Sequence, residues 1–153
     1  MNLLQKDLFI LFLLIFIIVV HILAMANFWY WTISWLDIPM HFLGGFWVAA
    51  FFFWLFGKKL SQEYKKILGG NFLILLILCL GFVSLIGVLW EFYEFSYDHY
   101  IFSKNFLLLA QGDTTDTMTD LLMDLVGGFA VIILYRIKRE KAPSLSNKNS
   151  PEA

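Results

Sequence analysis

Four aspartates, Asp113, Asp116, Asp120 and Asp124, stand three, four and four residues apart at the head of an otherwise apolar segment. At 3.6 residues per turn this spacing puts all four carboxylates on one helix face, within about 60–80° of one another. A charged carboxylate in hydrocarbon costs roughly 2.5–3.5 kcal/mol on insertion scales. The nine Leu, Ile, Val and Phe residues from Leu121 to Leu134 return only about 3–5 kcal/mol on the same scale. Such a helix inserts marginally alone. Its acid face must meet cations, water or polar partners from the rest of the chain.

Two further groups offer them. Asp37 and His41 stand at i, i+4, hence on one face, with Gly44 and Gly45 a turn further on where the missing side chains admit another helix. Glu91 and Glu94 stand at i, i+3 within Trp90-Glu91-Phe92-Tyr93-Glu94. Two kinds of chemistry hold so many acids together. A divalent cation neutralises several at once: oxygen ligands suit Mg²⁺, Ca²⁺ or Mn²⁺, and one imidazole shifts the balance toward Mn²⁺, Fe²⁺ or Zn²⁺. The alternative is a network of protonated, mutually hydrogen-bonded carboxyls. Read as a metal site, the ligands are Asp37, His41, Glu94, Asp113, Asp116 and Asp120, with Glu91 and Asp124 as catalytic carboxylates. Mg, Mn and Zn are not distinguishable at this point. Asp113 also suits a helix N-cap, with Asp116 completing a box-like start. Capping does not account for Asp120 and Asp124.

Other reactive side chains read more plainly. His21 is expected to bond a backbone carbonyl within an apolar helix, and His99 to be solvated beside Asp98. A single Cys79 excludes an intrachain disulfide and a cysteine metal cluster. Neither Ser84 nor Cys79 has a base at readable spacing, so nucleophilic catalysis is unsupported. No phosphate loop is present and the basic residues sit at segment ends, which argues against nucleic acid or nucleotide as partner.

The elements that must position these residues follow from composition. The chain is 60% hydrophobic and 15% charged over 153 residues, with a mean hydropathy of +0.75, the profile of a multi-pass membrane protein. Four stretches, Leu8–Phe28, Ile38–Gly57, Leu68–Trp90 and Thr117–Tyr135, are long enough to cross about 30 Å of hydrocarbon as helices. The expected architecture is an all-α membrane bundle over residues 1–137, followed by a basic and then disordered tail over 138–153. Lys6, the Lys58–Lys66 loop and the tail hold ten of the eleven basic residues, which places both termini in the cytoplasm. The outer half then carries Asp37, Glu91, Glu94, Asp98, Asp113, Asp116, Asp120 and Asp124 against Lys104 alone. Missing lysines are ordinary in an external loop. Carboxylates inside apolar segments are not.

Trp29, Tyr30, Trp31 and Trp35 read as an outer interfacial belt. The apolar run Phe106–Ala110 is too short to span and is expected to lie at the interface. Lys6, a long apolar run and Ala24-Met25-Ala26 imitate a secretory signal, but the run exceeds a usual signal core of roughly 7–15 residues. Retention as the first helix is the preferred reading.

These residues resemble the YjdF-like family of small bacterial inner-membrane proteins, and more loosely VanZ-like membrane proteins. The shared pattern is Asp37, His41-Phe42-Leu43-Gly44-Gly45, Glu91 and Glu94, then Gln111-Gly112-Asp113, Asp116-Thr117, Asp120 and Gly127-Gly128, in order over roughly residues 36–130. The resemblance implies a multi-pass inner-membrane protein of uncharacterised activity, and the chain looks shorter than typical members. Three readings are carried forward. The first is a divalent-metal-dependent hydrolase whose substrate is a membrane lipid or lipid-linked compound. The second is a structural or accessory protein with a protonated acid network. The third is a cation or proton transport component, for which four helices would need a homo-oligomer and polar groups at both depths.

Overall fold

The computed structural model describes residues 3–59, 71–102 and 113–140. Within them every regular element is helical: α1 (Leu3–Ala26), α2 (Trp29–Thr32), α3 (Asp37–Lys59), α4 (Phe72–Tyr97), continued by a π-helical turn (Asp98–Phe102), and α5 (Thr114–Glu140). Four of these, α1, α3, α4 and α5, are long and apolar enough to cross a membrane. The all-α bundle is as expected, with shifted ends.

Local chemistry accounts for the ends. Asn71 caps α4, its side-chain oxygen accepting from the backbone N–H of Leu73 at 3.1 Å and Ile74 at 3.2 Å, so this helix starts at Phe72 and not at Leu68. At its far end it runs past Trp90, through both glutamates, to Tyr97 and into the π-turn. Asp113 caps α5, accepting from Thr115 N at 2.8 Å and Asp116 N at 3.1 Å. Pro39 sits in the first turn of α3, where a missing N–H costs no intrahelical bond. The run Phe106–Ala110, Lys104, Gln111-Gly112, Lys65-Lys66 and the tail beyond Glu140 lie outside the described residues. The last helix itself passes the expected 137/138 boundary.

Helices α3 and α5 form the most extensively packed pair, with α4 against both. Their closeness has a steric cause. A Cβ on Gly45 would enter the backbone of Asp124, and one on Gly127 would enter the backbone of Phe42, so the two helices interlock through glycines. Each buried stripe changes character along its length. On α4 it runs Leu75, Cys79, Val83, Gly87, Glu91, in steps of four. On α3 it passes from Phe52, Ala49 and Val48 to Gly45 and His41, and on α5 from Ile132 and Val131 through Gly128 and Gly127 to Asp124 and Asp120. One half of the bundle is therefore an apolar core. The other half is ionisable, and glycines lie between.

Helix α1 stands apart. Of its described residues only Ala24 is buried, and it is attached to α3 by two indoles. Trp47 Nε1 donates to the Ile10 carbonyl at 2.9 Å, and Trp54 Nε1 donates to Asp7 Oδ1. After α1 the chain reverses at Phe28, whose φ of 59° is left-handed and costs on the order of 1 kcal/mol for a residue with a Cβ. The reversal folds α2 back over the end of α1. Tyr30 consequently turns inward, and its hydroxyl hydrogen-bonds His21 Nδ1 at 2.9 Å. One expectation is corrected here: His21 bonds a phenol, not a backbone carbonyl. Tyr30 is half-buried, and Trp35 is exposed.

Candidate functional site

His41 is the hub of the ionisable half. It is buried on the first full turn of α3, one turn beyond Asp37. Its Nε2 lies 3.6 Å from Asp37 Oδ1 and 3.8 Å from Asp120 Oδ2, and its Nδ1 lies 3.6 Å from Asp124 Oδ2. These separations are too long for direct hydrogen bonds of about 2.7–3.2 Å. The two on the Nε2 side are a few tenths of an ångström wider than the roughly 3–3.4 Å between neighbouring ligands of one ion whose bonds are about 2.0–2.2 Å.

One ligand atom each from Asp37, His41 and Asp120 falls within 4.8 Å of the others, and a second such grouping joins His41 to Glu91 and Glu94. Asp116 is half-buried on the same face of α5, near enough to Asp37 and Asp120 for its charge to act on both. Asp124 is buried against the opposite edge of the imidazole. Three glycines close around it: a Cβ on Gly44 would come to 3.6 Å of Oδ1 and one on Gly87 to 2.6 Å of Oδ2, while Gly45 faces its backbone. Asp120 and Asp124 thus point into the bundle. That is how α5, long and apolar enough to span, carries two carboxylates without exposing them on its surface.

Asp113 is not brought to this cluster. It is exposed, and its two backbone hydrogen bonds at the α5 cap hold its carboxyl below the usual aspartate range. Glu94 is half-buried and fixed by Trp90, whose indole N–H donates to Oε1 at 2.9 Å. Asp98 is buried in the π-turn. His99 is exposed, its ring stacked 6.0 Å from Phe95.

The cluster forms the polar end of a cavity of about 230 Å³ between α1, α3 and α4. Its apolar walls include Leu14, Ile17, Ile18, Val48, Val83 and Ile86, and its polar end His21, Tyr30, Asp37, His41, Glu94 and Asp124. Burial pushes the Tyr30 phenol up from its ordinary value, and the neighbouring Asp37 and Glu94 carboxyls push the same way. It therefore stays a neutral hydroxyl. Gly87, Tyr30 and Trp90 were not legible as site residues. The available signal for Gly87 was its place four residues before Glu91, hence on the same face.

Residues 4–141 match the model of the family described as predicted membrane protein (DUF2238). The chain belongs to this family. A protein of Thermotoga maritima named only as uncharacterized is 36% identical over 103 residues, which are 67% of this chain and 48% of that one. The chain thus spans about half the length of the curated relative it matches. No solved structure matches it. Four spanning helices and the family agree on a multi-pass membrane protein.

Proposed function

We propose that the protein binds a divalent cation through Asp37, His41 and Asp120 and hydrolyses an ester or phosphate bond of a membrane amphiphile at that point. The observation that carries the reading is the convergence of His41 Nε2 with two carboxylates, 3.6 and 3.8 Å away, at the polar end of an apolar cavity. The donor set fits a divalent ion of the Mn²⁺, Fe²⁺ or Zn²⁺ kind, and three protein ligands leave positions for water and substrate. When bound, the ion supplies Lewis-acid polarisation and an activated water. The chain's own residues do the rest. Asp124 faces Nδ1 at 3.6 Å, and its charge there favours the tautomer that carries the proton on Nδ1 and leaves Nε2 for the ion, the place of the carboxylates behind ligating histidines. Glu91, buried beside His41, is the group to accept the proton of the water. Glycines 44, 45 and 87 leave Asp124 the room it occupies. The acid end faces outward and both termini face the cytoplasm, a reading supported by the basic residues at the opposite end. The YjdF-like relation is kept on its ordered motifs, all of which lie within the matched residues.

A structural role is the second reading, favoured by one observation: Gly45 and Gly127 already interlock α3 and α5 at the cluster. A conduit has less support. Inward of the cluster the described residues pack an apolar plug of Val48, Ala49, Phe52, Leu75, Cys79, Val83, Val131 and Ile132.

The test is turnover in nanodiscs that carry a panel of phospholipid and lysolipid esters, before and after chelation and re-addition of Mn²⁺ or Zn²⁺. Metal-dependent release of a water-soluble product, lost in Glu91→Gln, supports the hydrolase. Absence of release with the metal retained would leave a metal site without this chemistry.

A further inference from the structure

Beside the cluster, toward the end of the bundle, lies a second and much smaller pocket of about 20 Å³. Tyr30, Trp31, Tyr93 and Tyr97 line it, together with His21, Met25 and the carboxylates of Asp37 and Glu94. We propose that this pocket binds the primary ammonium group of a membrane amphiphile whose hydrocarbon chain occupies the adjoining apolar cavity.

Three observations converge on that ligand. The first is the wall. Aromatic faces attract cations through their quadrupoles, and an aromatic box with acidic corners is how proteins recognise ammonium groups. The second is charge. The ionisable half holds the carboxyls of Asp37, Glu91, Glu94, Asp98, Asp116, Asp120 and Asp124 against His21 and His41, and no Lys or Arg side chain among the described residues. That balance of groups disfavours an anionic head and favours a cationic one. The third is size. A water needs roughly 10–15 Å³ of such space, so about 20 Å³ takes an NH₃⁺ group and not a trimethylammonium.

The chain follows from continuity. His21, Tyr30, Asp37 and Glu94 line both the pocket and the 230 Å³ cavity, so a ligand seated in the first directs its tail into the second. The cavity wall includes α1, which packs on α3 and makes few contacts with α4. Both α1 and α4 expose Leu, Ile and Phe side chains along their lengths. The membrane is thus the source of the ligand, entering sideways between α1 and α4. Trp90 positions the acidic corner by its hydrogen bond to Glu94. None of this requires a metal ion.

Isothermal titration in maltoside detergent tests it, with chelator present throughout so that the outcome is independent of the metal reading. The probes are dodecylammonium, dodecanol, dodecyltrimethylammonium and ethylammonium. The expected result is one dodecylammonium per chain, bound at least about tenfold more tightly than the alcohol or the trimethyl compound, with no measurable binding of ethylammonium. Glu94→Gln and Tyr97→Leu should each bring the ammonium and the alcohol to within about threefold. Equal binding of alcohol and ammonium, or of trimethylammonium and ammonium, overturns the assignment. So does ethylammonium binding as tightly as the long-chain amine, or an undiminished ammonium preference in folded Glu94→Gln. Should either variant fail to fold, the four probes on the unaltered protein decide the matter.

Discussion

His41 faces carboxylates from both ring nitrogens, and on the proposed reading the two edges have different tasks. On the Nε2 side, Asp37 and Asp120 stand 3.6 and 3.8 Å away as the proposed co-ligands; on the Nδ1 side, Asp124 stands 3.6 Å away as the proposed orienter. Asp124→Asn should therefore weaken metal affinity by about 10–100-fold without abolishing it, as loss of a carboxylate behind a ligating histidine does. A competition titration against a chelating dye measures this. Asp113 belongs to a different account. Asp113→Ala should leave metal content unchanged and speed amide exchange at Thr115 and Asp116, whose N–H groups it accepts. Because its carboxyl is held below the ordinary value, its capping is fully present above about pH 4. It fades as pH falls through the lowered folded value. Acid titration of the exchange rates at those two amides follows it.

Helices are positioned here by what their glycines lack. Gly45→Ala and Gly127→Ala each drive a Cβ into the backbone of the facing helix and should cost about 3 kcal/mol or more, beyond the usual overpacking range. Gly81→Ala meets nothing within 4 Å and should be neutral or stabilise by about 0.5–1 kcal/mol. Thermal melting of the three variants in detergent makes the comparison. The sequence carried much of this scale. Apolar length announced four spanning helices, and i, i+4 spacing put Asp37 with His41 and Asp120 with Asp124 on shared faces. Periodicity could not tell where α4 ends, because a helix passing Glu91 and Glu94 into a π-turn looks like an interfacial segment when read as hydropathy. Nor could composition foretell that Phe28 reverses the chain and returns Tyr30 to His21. That contact depends on one left-handed residue and on the side of α1 that the turn reaches.

Across the whole molecule, two chemistries are stacked along one bundle, an apolar core at one end and an acid cluster with its cavity at the other. On the proposed function, this polarity serves a pocket at one end of the bundle, while a conduit would need polar groups at both ends. On the proposed orientation, a Cys79→Ala background carrying Ser34→Cys should react with an impermeant maleimide added outside cells, while Lys138→Cys should react only after permeabilisation; the reverse pattern would invert the topology. The family match and the Thermotoga maritima relative extend the fold assignment to other chains but give no substrate, so the account rests on the site itself. The proposed metal site is decided by bound metal, measured by elemental mass spectrometry on untagged, detergent-purified protein beside His41→Ala, Asp120→Asn and Asp113→Ala. Close to one divalent ion per chain is expected in the unaltered protein and in Asp113→Ala, and loss of that ion in the other two. Metal retained by His41→Ala and Asp120→Asn, or absent from the unaltered protein after resupply, would contradict it and turn the cluster into a network of protonated carboxyls.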